Sequence, residues 1–180
     1  INHFIEKYNY ESYLELGVRK RESTYNHIQC ISKEGVDINS ASNPTYTMST
    51  DEFFENHSNN RLWDIIFIDA CHEKDFVVRD FENSLKHLNN NGTIIMDDVN
   101  PFTEMYLSSQ YCWNAWEVFA KLRGTRSDLE MYTINSSFCG VVRRGKQKIH
   151  NLNIQSSWGF LEKNRQTLLN TITWEEVLKK

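Results

Sequence analysis

Residues 63–69 (WDIIFID) form an apolar run closed by an acid, too short for a typical helix and patterned like a strand buried on both faces. From 75 to 88, apolar residues recur at Phe76, Val77, Phe81, Leu85 and Leu88, close to the period of a helix that lays one face on a sheet. The run Asn89-Asn90-Asn91-Gly92 stops that helix, and 93–96 (TIIM) reads as the next strand, again ending in acids, Asp97 and Asp98. This makes one βαβ unit. The same grammar recurs upstream, with 13–17 (YLELG) as a strand, 22–31 as a helix and 35–38 (GVDI) as a second strand. Downstream, 113–122 reads as a helix, and 130–134 and 138–143 (FCGVVR) read as strands of a terminal hairpin around Asn135-Ser136-Ser137. Such alternation predicts an α/β fold with a parallel sheet, helices on both faces, and ligands at the carboxyl ends of the strands.

A chain of 180 residues at 39% hydrophobic has the size of one domain with a real core. Residues 1–145 read as that domain, and 146–180, where composition changes, as a C-terminal appendage packed on it and ending in a short helix at 174–179. The net charge of −4 is mild, and the 20 Lys and Arg are scattered. That pattern argues against a nucleic-acid partner and for a small substrate. No apolar stretch is long enough to span a bilayer, and no signal peptide is seen. Cys30, Cys71, Cys112 and Cys139 form no CxxC pair, which fits free thiols and a cytoplasmic location. Because the first residue is Ile1, two expectations stand open: a piece of a larger multidomain protein, or a chain short of its first residues.

The Glu15-Leu16-Gly17 turn, leading from a strand into a helix, would gather backbone N–H groups at one point, with Gly17 permitting close approach of a carboxylate or phosphate. Asp37, at the end of the second strand, can accept from both hydroxyls of a ribose. The competing reading makes Gly17 a plain turn residue and Asp37 a strand-end cap. Asp69 and His72 leave one strand end while Asp97 and Asp98 end the strand that follows, so four side chains can reach one crevice. Three carboxylates within about 4 Å would repel by several kcal/mol per pair, which a divalent cation reverses. Oxygen ligands suit Mg²⁺, Ca²⁺ or Mn²⁺ better than zinc. Against this, Asp98 could cap the turn before Val-Asn-Pro, Asp97 could face solvent, and His72 could be structural. Phe102, Met105 and Tyr106 lie in a less periodic segment that could form a lid, Trp113 and Trp116 fit core packing, and Cys71 reads as a packed small residue.

The segments YLELGV, VDI, STDEFF, DIIFIDACH and LKHLNNNGTIIMDDVNP together resemble class I S-adenosylmethionine-dependent methyltransferases, in particular the small-substrate group that includes macrolide-sugar and other sugar O-methyltransferases. The resemblance spans about residues 13–144 and is most specific from 63 to 101. It implies a Rossmann-like, doubly wound, mostly parallel seven-stranded sheet with a C-terminal antiparallel hairpin and helices on both faces. It implies that S-adenosylmethionine is held by Glu15, Gly17, Asp37, Thr50, Asp51 and Asp69. It also implies a magnesium site at Asp69, Asp97 and Asp98, with His72 as general base and Asp69 beside it in catalysis. An imidazole with a pKa near about 6.5 is largely neutral at pH 7 and can take the proton of a metal-polarised hydroxyl. Two departures stand out. The family's second glycine, four residues after Gly17, is Arg21 here, and Ala70-Cys71 replaces a glycine-containing pair. Either the turn is reshaped, or Arg21 lies on the first helical turn, where its guanidinium can pair with the cofactor carboxylate; weakened or lost cofactor binding is the remaining alternative.

The resemblance therefore implies methyl transfer to a sugar hydroxyl, with fusion to glycosyltransferase domains or a homo-oligomer as possible settings. Three alternatives remain open at this level: a phenolic or other small acceptor with His72 incidental, a non-catalytic interaction domain, and a nicotinamide oxidoreductase. The last is disfavoured because Gly17 belongs to no full GxGxxG motif.

Overall fold

A computed structural model describes residues 1–180. The chain forms two compact units, one of residues 1–71 and 76–95, the other of residues 72–75 and 96–180. The elements in chain order are α1 Asn2–Tyr8, β1 Ser12–Leu16, β2 Ser32–Asp37, β3 Tyr46–Thr47, α2 Thr50–Asn56, β4 Trp63–Ile68, α3 Lys74–Lys86 and β5 Leu88–Met96. They continue with α4 Ala115–Thr125, β6 Leu129–Ile134, β7 Gly140–Arg144, α5 Trp158–Leu169, β8 Thr171–Ile172 and α6 Trp174–Leu178.

In the first unit the strand order is β3-β2-β1-β4-β5, and β1 pairs in parallel with both β2 and β4. Trp63, Ile65, Ile66, Phe67 and Ile68 of β4 are all buried, as a parallel strand covered on both faces requires. Helix α3 buries Val77, Asp80, Phe81 and Ser84. The expected apolar stripe is thus rotated, and Phe76 stays 40% exposed while two polar side chains turn inward. The Asn89–Gly92 run does not stop that helix in a loop; it lies within β5, and the helix ends earlier at Lys86.

The helix expected at 22–31 does not form. The segment makes turns and a single 3₁₀ turn at Tyr25–His27. Only Tyr25 and Ile28 are buried there, too little for an amphipathic stripe, and Ser23, Thr24 and Asn26 are weak helix formers that compete for backbone hydrogen bonds.

The second unit orders its strands β7-β6-β8, with β6 antiparallel to β7 and parallel to β8. The expected hairpin is present. The total is eight strands rather than the seven expected, because Thr171–Ile172 adds a short strand beside β6. Residues 146–180 contribute α5 as well, which buries Leu161, Leu168 and Leu169 and packs on α4. No helix is long and apolar enough to cross a membrane.

Candidate functional site

At the end of β1, Gly17 adopts a φ of 89°, and a Cβ there would lie 2.1 Å from the Asp69 carbonyl oxygen. Backbone conformation and close approach both demand glycine. The Asp69 N–H donates to Leu16 O at 2.8 Å, so the ends of β1 and β4 are locked together beside the glycine. The left-handed position in the following turn is not residue 21 but Arg19, at φ 48°. The Arg19 N–H donates to Asp37 Oδ2 at 2.7 Å, and the Asn39 N–H donates to Oδ1 at 2.8 Å. Asp37 therefore organises the loop after β1, and each of its oxygens keeps a lone pair for a hydroxyl donor.

Alternation along β1 puts Tyr13 and Glu15 on one face. The Tyr13 hydroxyl donates to Glu15 Oε2 at 2.5 Å, and Glu15 is only 1% exposed. Burial pushes the Glu15 carboxyl up to about 7; the Tyr13 hydroxyl and the Arg21 charge pull the other way, while the Asp69 charge adds to the rise. The Arg21 guanidinium sits 4.3 Å from the Tyr25 ring centroid, and its Nε is buried without a hydrogen-bond partner. Leaving such a donor unpaired costs about 1–3 kcal/mol. Thr50 and Asp51 are engaged elsewhere in this unit: Thr50 hydrogen-bonds Asp80, and Asp51 takes the Arg79 guanidinium at 3.1 Å.

The second unit brings His72 and Asp98 together. Nδ1 of His72 lies 2.7 Å from the Tyr111 carbonyl oxygen and 3.1 Å from Asp98 Oδ2. Both neighbours are acceptors, so Nδ1 carries the proton and Nε2 is the basic nitrogen of the neutral ring. Asp98 holds a left-handed backbone at φ 60°, a conformation tolerated best by Asp and Asn among residues with a side chain. Its Oδ1 accepts the Cys112 thiol at 3.0 Å, and no lysine or arginine neutralises it. Asp97 receives the Cys139 thiol at 3.1 Å. Burial and the neighbouring carboxylates push both thiols well up, so they remain S–H donors.

Below the acids, buried Asn100 donates to the carbonyls of Ile134 and Ser137 and accepts from Arg165 Nη1 at 2.6 Å. Arg165 Nη2 also donates to Pro101 O at 2.9 Å, so α5 braces the loop that carries the acidic pair.

As site residues, Tyr13, Tyr111, Cys112, Cys139 and Arg165 were not singled out from the sequence. Tyr13 had a signal, two residues from Glu15 on one strand face; the others meet the site only through the folded chain.

Residues 14–99 match a family model described as a methyltransferase domain. Among solved structures, a candidate caffeoyl-CoA O-methyltransferase from Staphylococcus aureus is similar over 80% of each chain, at 19% identity and a TM-score of 0.59. An O-methyltransferase from Bacillus cereus, in complex with S-adenosylhomocysteine, is similar over 78% of this chain and 76% of its own, at 17% identity and a TM-score of 0.56. The MycE methyltransferase of the mycinamycin biosynthetic pathway, in complex with magnesium, S-adenosylhomocysteine and mycinamycin VI, is similar at 14% identity and a TM-score of 0.54. That likeness covers 85% of this chain and half of MycE. No curated protein matches by sequence. The fold is the Rossmann-like fold of these methyltransferases, and family match and fold together support an S-adenosylmethionine-dependent methyltransferase.

Proposed function

We propose that the chain is an O-methyltransferase that uses S-adenosylmethionine and a divalent cation, such as Mg²⁺, to methylate a sugar hydroxyl. The observation that carries the reading is the His72–Asp98 pair, whose geometry sets the tautomer a general base needs. When bound, the cofactor supplies the methyl group on a sulfonium, and the cation lowers the pKa of the acceptor hydroxyl.

For the cofactor, the residues fit. The close approach at Gly17 leaves the β1 turn without a side chain, Asp37 offers carboxylate oxygens to a ribose, and ionised Glu15 suits an ammonium group. For the cation, the donors are the oxygens of Asp98 and Asp97, with Asp69, three residues before His72, as the third. Carboxylates without a lysine or arginine partner at Asp98 suit a hard cation. Thr50 and Asp51 would reach the adenine end only by giving up Asp80 and Arg79.

In this mechanism Nε2 of His72 would take the proton of the acceptor hydroxyl, while Glu15, Gly17 and Asp37 would hold the methyl donor. The Tyr111 carbonyl and Asp98 hold the ring in that tautomer and stabilise the imidazolium that forms. Sugar is preferred to phenol on the resemblance of the acidic segments to macrolide-sugar O-methyltransferases.

The test supplies labelled S-adenosylmethionine and deoxysugar acceptors to the purified chain. Methyl transfer is expected, to be lost with chelator and restored by Mg²⁺. His72→Ala should lower kcat by about 10²- to 10⁴-fold. Transfer to phenols alone would replace the acceptor, activity indifferent to chelator would remove the cation, and a His72→Ala enzyme of near-native rate would remove the base.

A further inference from the structure

The loop after β1 lacks the helix that the residue pattern predicts at 22–31, whose N-terminus would face the ligand. Residues 18–31 contain turns and one 3₁₀ turn, with no α-helix. The backbone donor of Arg19 is already used by Asp37. A carboxylate bound at this turn, with no helix N-terminus to meet it, is best matched by a positive side chain.

Arg21 is built for that task. Its guanidinium stacks on Tyr25, which is itself fixed by donation of its hydroxyl to Lys33 O at 2.8 Å. Lys33 is not available, because its Nζ donates to the carbonyls of Tyr25 and Ile28. Tyr25 packs against Tyr13, whose hydroxyl holds Glu15, so Arg21, Tyr25, Tyr13 and Glu15 form one chain of contacts on one face of β1. The Arg21 charge is felt at Glu15, yet no ion pair joins them. Within this cluster Arg21 Nε is buried and has no acceptor. An arginine that is stacked, oriented and short of an acceptor presents a planar fork suited to a carboxylate.

We propose that Arg21 is a binding residue for the carboxylate of the cofactor's amino-acid end, replacing the absent helix N-terminus, while Glu15 takes the ammonium group. This rests on the reading of the chain as an S-adenosylmethionine enzyme. It assigns a role to the position where a glycine was expected and makes the departure from the family pattern functional.

Calorimetry with two ligands tests it: S-adenosylhomocysteine, and its decarboxylated analogue, which keeps the ammonium group and lacks the carboxylate. The native chain should bind the first more tightly by about ten- to a hundredfold, the range of a charge-assisted pair. Arg21→Gln should lose most of that preference, weakening S-adenosylhomocysteine while leaving the analogue within about twofold, and Arg21→Lys should fall between. The native preference is read without any variant, so a misfolded Arg21→Gln does not spoil the test. Equal affinity of the native chain for both ligands, or loss of both ligands alike in a folded Arg21→Gln, overturns the role of Arg21 and leaves the methyltransferase reading standing. Binding of neither ligand by the native chain overturns both.

Discussion

Glu15 and Gly17 stand two residues apart and are constrained by opposite means. Gly17 is required by geometry: a side chain would meet the Asp69 backbone and strain a positive φ. Gly17→Ala should therefore destabilise the chain by about 1–3 kcal/mol or more, read as a lower urea midpoint with an unchanged slope. Glu15 is governed by its environment, where burial raises its carboxyl to about 7. A cationic ammonium favours the ionised form, so S-adenosylhomocysteine should bind more tightly as pH rises from about 6 to about 8. Glu15→Gln should flatten that profile; an equally steep profile in the variant would assign the pH dependence to another group.

Residues 146–180, read from the sequence as an appendage packed on the domain, carry core in their second half. Leu168 is fully buried in α5, and Arg165 on the same helix holds Asn100 and Pro101. Leu168→Ala should cost about 2–5 kcal/mol, whereas a loosely attached tail would show almost none of this in a denaturation curve. Arg165→Ala should leave the loop after Asp97 and Asp98 unbraced, lowering affinity for Mg²⁺ more than affinity for S-adenosylhomocysteine. A fall of both in equal proportion would make the contact merely structural. The stripe of α5 was hard to read because Leu161, Leu168 and Leu169 are separated by a polar turn and follow Gly159.

At the scale of the whole molecule, two buried acids set the pH response. Glu15 is pushed up to about 7, and Asp80, buried beside Thr50 with Oδ2 unpartnered, is pushed up to about 6, in both cases chiefly by burial. The native chain therefore binds protons in this range that the unfolded chain has released, and stability falls as pH rises. The Tm should drop between about pH 4 and about pH 7, and Asp80→Asn together with Glu15→Gln should remove most of the drop. A Tm that climbs through that window would show the two burials to be compensated. Ligands that bind only the folded chain act in the other direction: S-adenosylhomocysteine with Mg²⁺ at about 100 times their Kd should add about 2.7 kcal/mol each.

The periodic part of this protein was legible in its residues. The run WDIIFI, the alternation of strands with helices and the FCGVVR hairpin each follow from local pattern, because burying an apolar run leaves few choices of element. The acids at the ends of β4 and β5 were legible for the same reason, being polar residues placed where apolar strands stop. Tertiary structure decided the rest. It withheld the helix after β1, where two buried side chains could not sustain one, and passed the left-handed turn to Arg19. It set Tyr111, Cys112 and Cys139 against His72, Asp98 and Asp97, contacts 14 to 42 residues apart in the chain that no local spacing encodes. The residue types named a chemistry; the tautomer of His72, the protonation of Glu15 and the unpaired Arg21 depend on which groups burial brings beside them.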